Sequence, residues 1–397
     1  MNPRLDTLQP YPFEKLRKLL AEAGAPPADL APINLSIGEP KHAAPPFVAQ
    51  ALAGAAAGLS VYPPTKGGPE LRQAIAQWLA RRYDIPAPDP DTQVLPILGS
   101  REALFAFAQV VLDPGAGQTV VCPNPFYQIY EGAALLGGAR PYFVNADPAR
   151  DFGCDWLSVP ETVWRGTGLV YVCSPGNPAG NVMSLEEWET LFELSDRHGF
   201  VIASDECYSE IYLGPEPPLG ALQAARRLGR DGYRGLVCFS SLSKRSNVPG
   251  LRSGFVAGDA ALLARFLLYR TYHGSAMSPL VAAASVAAWS DEAHVEENRR
   301  LYREKFDAVV PILAEALDVR RPQASFYLWV PTPGPDAAFA RELHARAAVT
   351  VLPGSVLARE AHGANPGAGR MRIALVAPLA QCVEAARRIA HVVQTFH

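Results

Sequence analysis

Lys244 is the side chain in this sequence with the most chemistry to explain. It stands in Phe239-Ser-Ser-Leu-Ser-Lys-Arg-Ser-Asn-Val-Pro-Gly-Leu-Arg-Ser-Gly254, fenced by serines, with Arg252 eight residues further on. The run before it, Gly235-Leu-Val-Cys-Phe239, reads as a buried strand. An amine just beyond such a strand is partly desolvated, which lowers its pKa and frees it to attack a carbonyl. Ser241 and Arg252 offer a hydroxyl and a fixed cation to an anion, most simply a phosphate. A carbonyl-capturing lysine beside a phosphate site points to pyridoxal 5'-phosphate. A solvated surface loop would carry the same residues to no chemical end, so other stretches must decide.

Several of them place polar groups directly after apolar runs. Gly99-Ser100 precedes a helix starting at Arg101, where free N–H groups and a hydroxyl cradle phosphate, or where Ser100 is only a helix cap. Pro123-Asn-Pro-Phe-Tyr127 can lay Tyr127 over an aromatic ring, or bury it in a turn. Ser174-Pro-Gly-Asn-Pro-Ala-Gly180 forces an irregular loop around Asn177, whose amide can donate to a ligand and whose Asn-Pro bond is a candidate cis peptide. In Ser204-Asp-Glu-Cys-Tyr208, an acid leaving a buried strand needs a cationic partner. A protonated pyridine nitrogen would serve Asp205, with Tyr208 on the phenolic side of the ring; a nearby arginine would serve equally. Arg372, in Gly369-Arg-Met-Arg-Ile-Ala-Leu375, presents a fork suited to a carboxylate, with Arg370 close by as the competing choice.

These residues need a frame that brings strand ends together. From about residue 92, apolar runs at 94–98, 119–122, 141–144, 169–173, 200–203, 236–239 and 255–257 alternate with amphipathic helices, among them 101–112, 127–136 and 185–198. That alternation predicts an α/β fold, a mostly parallel sheet with helices on both faces, in which ligands bind beyond the strands' carboxyl ends. Ser184-Leu-Glu-Glu187 is a capping box. Upstream, helices are predicted over 12–21, 46–57 and 70–83, and a short strand over 33–37. Helices fill 259–319, and a strand pair with helices near 324–397 makes a smaller α+β domain. The expected division is an arm and part of the small domain in 1–45, a large cofactor-binding domain in 46–285 and a small C-terminal domain in 286–397.

Composition narrows the class. The chain of 397 residues is 49% hydrophobic and 19% charged with net charge -3, which lacks the basic face that nucleic acid or an anionic membrane requires. Membrane-length apolar segments and signal-peptide layout are both missing. The six cysteines form no C-x-x-C pair and the histidines show no ligand spacing, so no metal site or disulfide framework is expected in what reads as a reduced, cytoplasmic protein. No G-x-x-x-x-G-K-[ST], G-x-S-x-G or H-E-x-x-H occurs.

In order, Gly38-Glu-Pro40, Tyr62 to Gly67, Gly99-Ser100, Asn124-Pro-Phe-Tyr127, Asn177-Pro-Ala-Gly180, Asp205-Glu-Cys-Tyr208, Ser241-Leu-Ser-Lys244, Arg252 and Arg372 resemble the class I/II aminotransferases, pyridoxal-phosphate enzymes of fold type I. The resemblance spans roughly residues 30 to 380. It implies that Lys244 forms the Schiff base and shuttles the proton, and that Asp205 pairs with the pyridine nitrogen. It also implies that Asn177 and Tyr208 bind the phenolic oxygen, that Tyr127 stacks on the ring, and that Ser100, Ser241, Arg252 and the Arg101 backbone hold the phosphate. Tyr62 matches a tyrosine that reaches the partner subunit's phosphate, which implies a homodimer. Arg372 matches the α-carboxylate clamp, with Gly38 lining the same end. Ala324-Ser-Phe-Tyr-Leu-Trp329 departs from the pattern, with Ala where Gly is usual. The opening Asn2-Pro-Arg-Leu-Asp-Thr-Leu-Gln-Pro-Tyr-Pro-Phe-Glu-Lys-Leu and the Lys244 stretch are similar to the proteobacterial succinyldiaminopimelate aminotransferases. The substrates implied are an amino acid and a 2-oxo acid: glutamate and an N-succinyl amino-oxo-heptanedioate on the way to lysine. Their extra carboxylates need cations beyond Arg372, for which Lys66, Arg101 and Arg245 are available. The competing readings are another amino-acid aminotransferase, of aspartate or aromatic type, and after it a lyase on the same scaffold or a cofactor-sensing regulator with an added DNA-binding domain.

Overall fold

The computed structural model describes residues 1–396. Its strands in chain order are β1 (Ile33–Asn34), β2 (Val94–Ile97), β3 (Thr119–Asn124), β4 (Arg140–Asp147), β5 (Gly153–Cys154), β6 (Thr167–Cys173), β7 (Val201–Asp205), β8 (Leu236–Ser241), β9 (Gly254–Gly258), β10 (Tyr327–Pro331), β11 (Val349–Thr350), β12 (Leu352–Pro353) and β13 (Arg370–Ala374). Eight of them form one sheet in the order β2-β9-β8-β7-β6-β3-β4-β5. Strands β3, β4, β6, β7 and β8 are parallel; β9 runs against both β8 and β2, and β5 runs against β4.

The continuous apolar runs reflect burial on both faces. Successive strand residues point to opposite sides of a sheet. Val121, Val170, Ile202 and Leu236 enter one core with Trp78, Trp188 and Trp289. Val120, Leu169, Ala203 and Val237 enter the other with Phe107, Tyr130 and Phe266. A covering helix shows the local logic. In Leu185–His198, Ser184 and Glu187 complete the capping box, Gly199 ends the helix at φ 79°, and Trp188, Leu191 and Phe192 are buried against the sheet. Ser184→Ala would remove that cap at a cost of about 1 kcal/mol.

The smaller domain holds the antiparallel sheet β10-β13-β12 and its own core of Phe306, Val309, Leu328, Met371, Ile373 and Ile389. Ile33 and Leu35 belong to that core, and β1 pairs with β11.

Three expected boundaries shift, each for a local reason. The strand expected over 33–37 ends at Asn34, whose side chain accepts from the Ser36 N–H (2.9 Å) and hydroxyl (2.7 Å) and turns the chain toward Gly38. The helix expected over 46–57 stops at Gly54, and a 3-10 turn, Ala56–Ser60, follows; Gly58 lies so near Pro279 that a Cβ there would approach to 2.6 Å. The helix expected from Tyr127 begins at Ile129, because β3 runs on through Asn124 and the bend at Pro125 leaves Tyr127 in the loop. The peptides before Pro125, Pro175 and Pro178 are cis. Among the described residues no helix is long and apolar enough to cross a membrane.

Candidate active site

Register explains why scattered residues meet. Asp205 pairs with Cys173 on one side and Phe239 on the other, and Ser241 pairs with Gly254, which pairs with Ile97. One edge of the large sheet therefore carries the ends of β2, β3, β6, β7 and β8 and the start of β9. Ser100, Tyr127, Asn177, Asp205, Lys244 and Arg252 follow or precede those ends. They line a cavity of about 650 Å³, closed on its far side by Gly38, Tyr327 and Arg372 of the smaller domain's side and by Tyr11-Pro12-Phe13 of the arm. That size suits a small organic ligand.

Lys244 sits on a one-turn helix, Leu242–Arg245, directly after β8. Its Nζ donates to the Gly38 carbonyl. Burial, helped by the Arg372 and Arg101 cations, brings its pKa down to about 8, so a useful fraction is free amine near neutrality.

Asp205 is 5% exposed. Its Oδ2 accepts from the Tyr130 hydroxyl at 2.8 Å and its Oδ1 from the Cys207 N–H at 3.3 Å. Burial pushes its pKa up, and no arginine answers it among the described residues. The adjoining Glu206 differs: Tyr83 (2.8 Å), Ser204 (3.0 Å) and the Ala221 N–H (2.8 Å) satisfy it. Asp205 is thus a buried acid facing a cavity with no ion-pair partner among the described residues, only the Lys244 charge acting across the cavity, whereas Glu206 is a completed structural contact.

Ser100, Ser241 and Arg252 gather at the start of the helix Ser100–Val111. Gly99 occupies the cap position at φ 80°, so Ser100 is the first helical residue and not the cap. A Cβ on Gly99 would come within 2.1 Å of Arg252 Nη2; this position must be glycine. The Cys207 thiol lies 3.0 Å from the Ser100 hydroxyl and 3.6 Å from that of Ser241. First-turn N–H groups, two hydroxyls and a guanidinium make a cradle for a phosphate dianion.

Arg372 is 3% exposed; it donates to Asn177 Oδ1 (3.0 Å) and the Ser36 carbonyl (2.7 Å), and its Nε is buried without a partner. Arg370 lies over the Phe152 ring at 4.6 Å, away from the cavity lining, whereas Arg372 lines the cavity. Tyr208 and Tyr327 meet hydroxyl to hydroxyl at 3.0 Å. Arg101 extends into the cavity mouth, where Nε donates to the Tyr127 hydroxyl at 2.6 Å and Tyr11 faces the guanidinium at 5.9 Å. Two other candidate cations lie elsewhere. Lys66 pairs with Asp91 at 3.4 Å. Arg245 is packed against Trp78 and Trp289 and bound to Glu292 at 2.6 Å. Tyr62 is fully exposed and does not line the cavity of its own chain.

Sequence reasoning missed Tyr130, Cys207, Tyr11 and Tyr327 as parts of this site. Tyr130 lies three residues past Tyr127, close enough to have been found; nothing in spacing announced that residue 11 or 327 would return to the cavity. Among the described residues no cluster of three His, Cys, Asp or Glu is placed to hold a metal ion.

An uncompensated acid, a desolvated amine and an anion cradle on one cavity fit the three poles of pyridoxal phosphate: ring nitrogen, aldehyde and phosphate. Fold and donor set therefore define a pyridoxal-phosphate enzyme on a doubly wound sheet. The family model "Aminotransferase class I and II" matches residues 31–389. The chain belongs to that family, whose cofactor is pyridoxal phosphate. An LL-diaminopimelate aminotransferase of Aquifex aeolicus is 32% identical over 97% of both chains. A crystal structure of an aminotransferase from Neisseria meningitidis Z2491 superposes with TM-score 0.96 at 56% identity, covering 99% of this chain and 100% of the other. A probable N-succinyldiaminopimelate aminotransferase from Thermus thermophilus gives 0.85 at 27% identity, covering 96% and 99%.

Proposed function

We propose that this aminotransferase acts on an N-succinylated diaminopimelate, with glutamate and 2-oxoglutarate as the other amino donor and acceptor. The observation that carries this reading is the polarity of the cavity. Arg372 waits at one pole for an α-carboxylate and Arg101 at the other for a distal one. The carboxylates lining it are Asp205, at the ring-nitrogen pole, and Glu39, which Lys41 neutralises at 2.6 Å. A substrate with a free distal ammonium would want an unpaired acid there; an acylated amine does not. The Thermus neighbour's name agrees with the acylated substrate, and the Aquifex relative's name with the free diamine.

In this reading bound pyridoxal phosphate supplies the electron sink for the charge left when an amino acid loses its α-proton. The chain does the rest. Asp205 would remain ionised against the ring nitrogen, while Asn177 and Tyr208 would hold the phenolic oxygen and Tyr127 would cover the ring. Ser100, Ser241, Arg252 and the Arg101 N–H would hold the phosphate. Arg372 would orient the α-carboxylate so that the Cα–H bond faces Lys244, whose Nζ, released from the Gly38 carbonyl, would accept the proton and return it to the carbon two bonds away. The 1–45, 46–285 and 286–397 division accounts for the cavity's position between the two sheets. Association into a homodimer, with Tyr62 entering the partner's phosphate site, accounts for the exposure of Leu59 (75%), Val61 (64%), Tyr62 (102%) and Tyr272 (89%).

The test is a kcat/KM comparison, with glutamate as donor, between the succinylated amino-oxo-heptanedioate and its unacylated counterpart. A preference of at least about 100-fold for the acylated acceptor, about 2.7 kcal/mol, is expected. Preference for the unacylated compound would assign the chain to the free-diamine reaction instead.

A further inference from the structure

Lys244 is enclosed in a ring of hydrogen bonds that closes through a residue far from the cavity. Its Nζ reaches the Gly38 carbonyl. Four residues along the same loop, His42 Nδ1 meets Asn298 Oδ1 at 2.8 Å. The Asn298 amide nitrogen reaches back to the main-chain carbonyls of Lys244 (3.3 Å) and Arg245 (3.4 Å). Asn247, held at φ 54°, donates to the same Asn298 oxygen at 2.9 Å. Asn298 is 3% exposed and Asn247 9%.

The donor directions follow from chemistry. Carbonyls only accept, so the NH2 of Asn298 must face Lys244 and Arg245, which fixes its oxygen toward His42 and Asn247. His42 must then carry its proton on Nδ1. Burial favours the neutral ring, which packs against Tyr302 with ring centroids 4.5 Å apart and the planes tilted by 45°. All four hydrogen-bonding sites of the Asn298 amide are occupied.

This arrangement meets a local need. One helical turn is too short to hold itself, since nucleation fixes several dihedrals for a single bond, and its last carbonyls lack partners. Leu242–Arg245 is such a turn, and it carries the lysine. Asn298 comes from the helix Ala293–Ala314, whose Phe306 and Val309 are anchored in the smaller domain's core.

We propose that Asn298, oriented by His42, is a positioning residue for Lys244. It fixes the lysine's main chain from the smaller domain so that Nζ can serve both atoms between which the proton moves. This rests on Lys244 being the cofactor-binding amine.

The test uses the holoenzyme variants Asn298→Ala, His42→Leu and His42→Asn, the last keeping an N–H where Nδ1 lies. Readouts are kcat and KM with glutamate, the kinetic effect of α-deuteration, and the pH midpoint of the bound cofactor's absorbance. Asn298→Ala and His42→Leu should each lower kcat by about tenfold or more, with KM within about twofold, because misplacement costs the proton step and not binding. Both should enlarge the isotope effect and move the midpoint, and His42→Asn should recover most of the loss. A lower Tm with kcat, isotope effect and midpoint all as in wild type would overturn the proposal and leave the ring purely structural. If Asn298→Ala does not fold, the contrast between the two His42 variants decides. Failure of the underlying assignment looks different: wild type would then show no absorbance band that Lys244→Ala removes.

Discussion

Replacing Asp205 by Asn should act with opposite signs on the protein without cofactor and with it. In the free protein the carboxyl is buried, with the Tyr130 hydroxyl and the Cys207 N–H as its donors and no ion-pair partner among the described residues. Burial raises its folded pKa above the ordinary carboxylate value, near 3.9 in an unfolded chain. Between those two values the folded state binds more protons than the unfolded one, so stability falls as pH rises through that window and stays lower above it, by about 1.4 kcal/mol per unit of displacement. Asn keeps the shape and an acceptor for Tyr130 but carries no charge. The cofactor-free variant should therefore equal or exceed wild type at pH 7, by about 1–3 kcal/mol, and its stability should be flat with pH where wild type declines. Once the ring nitrogen is present the sign reverses. Two unit charges at about 4 Å attract by about 4 kcal/mol in the effective dielectric of a protein. Allowing for the burial cost already borne, a loss of about 2–3 kcal/mol weakens cofactor affinity by roughly 30- to 150-fold. Turnover should fall by about 100- to 1000-fold, as when a preorganised charge is removed from a reacting site. Urea unfolding of both forms from pH 4.5 to 8, with a fluorescence titration of pyridoxal phosphate, reads all three quantities. A destabilised cofactor-free variant that binds pyridoxal phosphate as wild type does would refute the reasoning, because Asp205 would then have a partner within the chain.

Further outcomes follow from the site and from its proposed assembly. With Lys244 held at about 8, capture of pyridoxal phosphate by the cofactor-free protein should quicken about tenfold per pH unit below 8 and level off above it. Lys244→Ala should lose both that absorbance change and turnover; retained turnover would end the assignment. Gly38→Ala would put a Cβ 1.8 Å from the Tyr327 hydroxyl, forcing Tyr327 off Tyr208; kcat/KM should drop at least about tenfold with Tm nearly unchanged, and an unaffected rate would show that the tyrosine pair is idle. Mixing Tyr62→Ala with Lys244→Ala protein should restore activity that neither has alone, since a hybrid dimer contains one site with both residues; no recovery would place Tyr62 outside the partner's site.

The frame was legible because its signals are local. Runs apolar at every position announced strands covered on both faces, and Ser184 with Glu187 marked the helix Leu185–His198 at its observed start. Lys244, Asp205, Asn177 and Arg252 were legible because a parallel sheet brings its carboxyl ends to one edge, so position after a run is enough to place a residue. The choice between Arg370 and Arg372 was not, because residues two apart on a strand share a face and only depth in the fold separates them. Lys66 and Arg245 show the converse: charge type made them candidates, but Asp91 and Glu292 had already claimed them. Tyr11, Tyr327 and Asn298 were invisible for a different reason. Each acts across a contact of high sequence separation, which no window along the chain reveals.

What unites the cavity is that its groups are left incomplete in ways that cost stability in the chain alone. Asp205 has no ion-pair partner among the described residues, and Lys244 is held below its ordinary pKa at a cost that eases as pH rises from about 8 toward 10.5, because the unfolded lysine still binds its proton there. Two hydroxyls and a guanidinium crowd a helix start whose first-turn acid, Glu102, is already paired with Arg270 at 2.8 Å. A core selected for stability would have completed these groups, as it completed Glu206 with three donors one residue from Asp205. The same strand end therefore carries two buried acids of opposite purpose. Pleating decides between them: one side chain faces Tyr83 and closure, the other the cavity in which we propose the ring nitrogen binds. It follows that cofactor binding should raise stability most at pH values where Asp205 is ionised, and that this increment, unlike the intrinsic stability, should vanish in the Asp205→Asn variant.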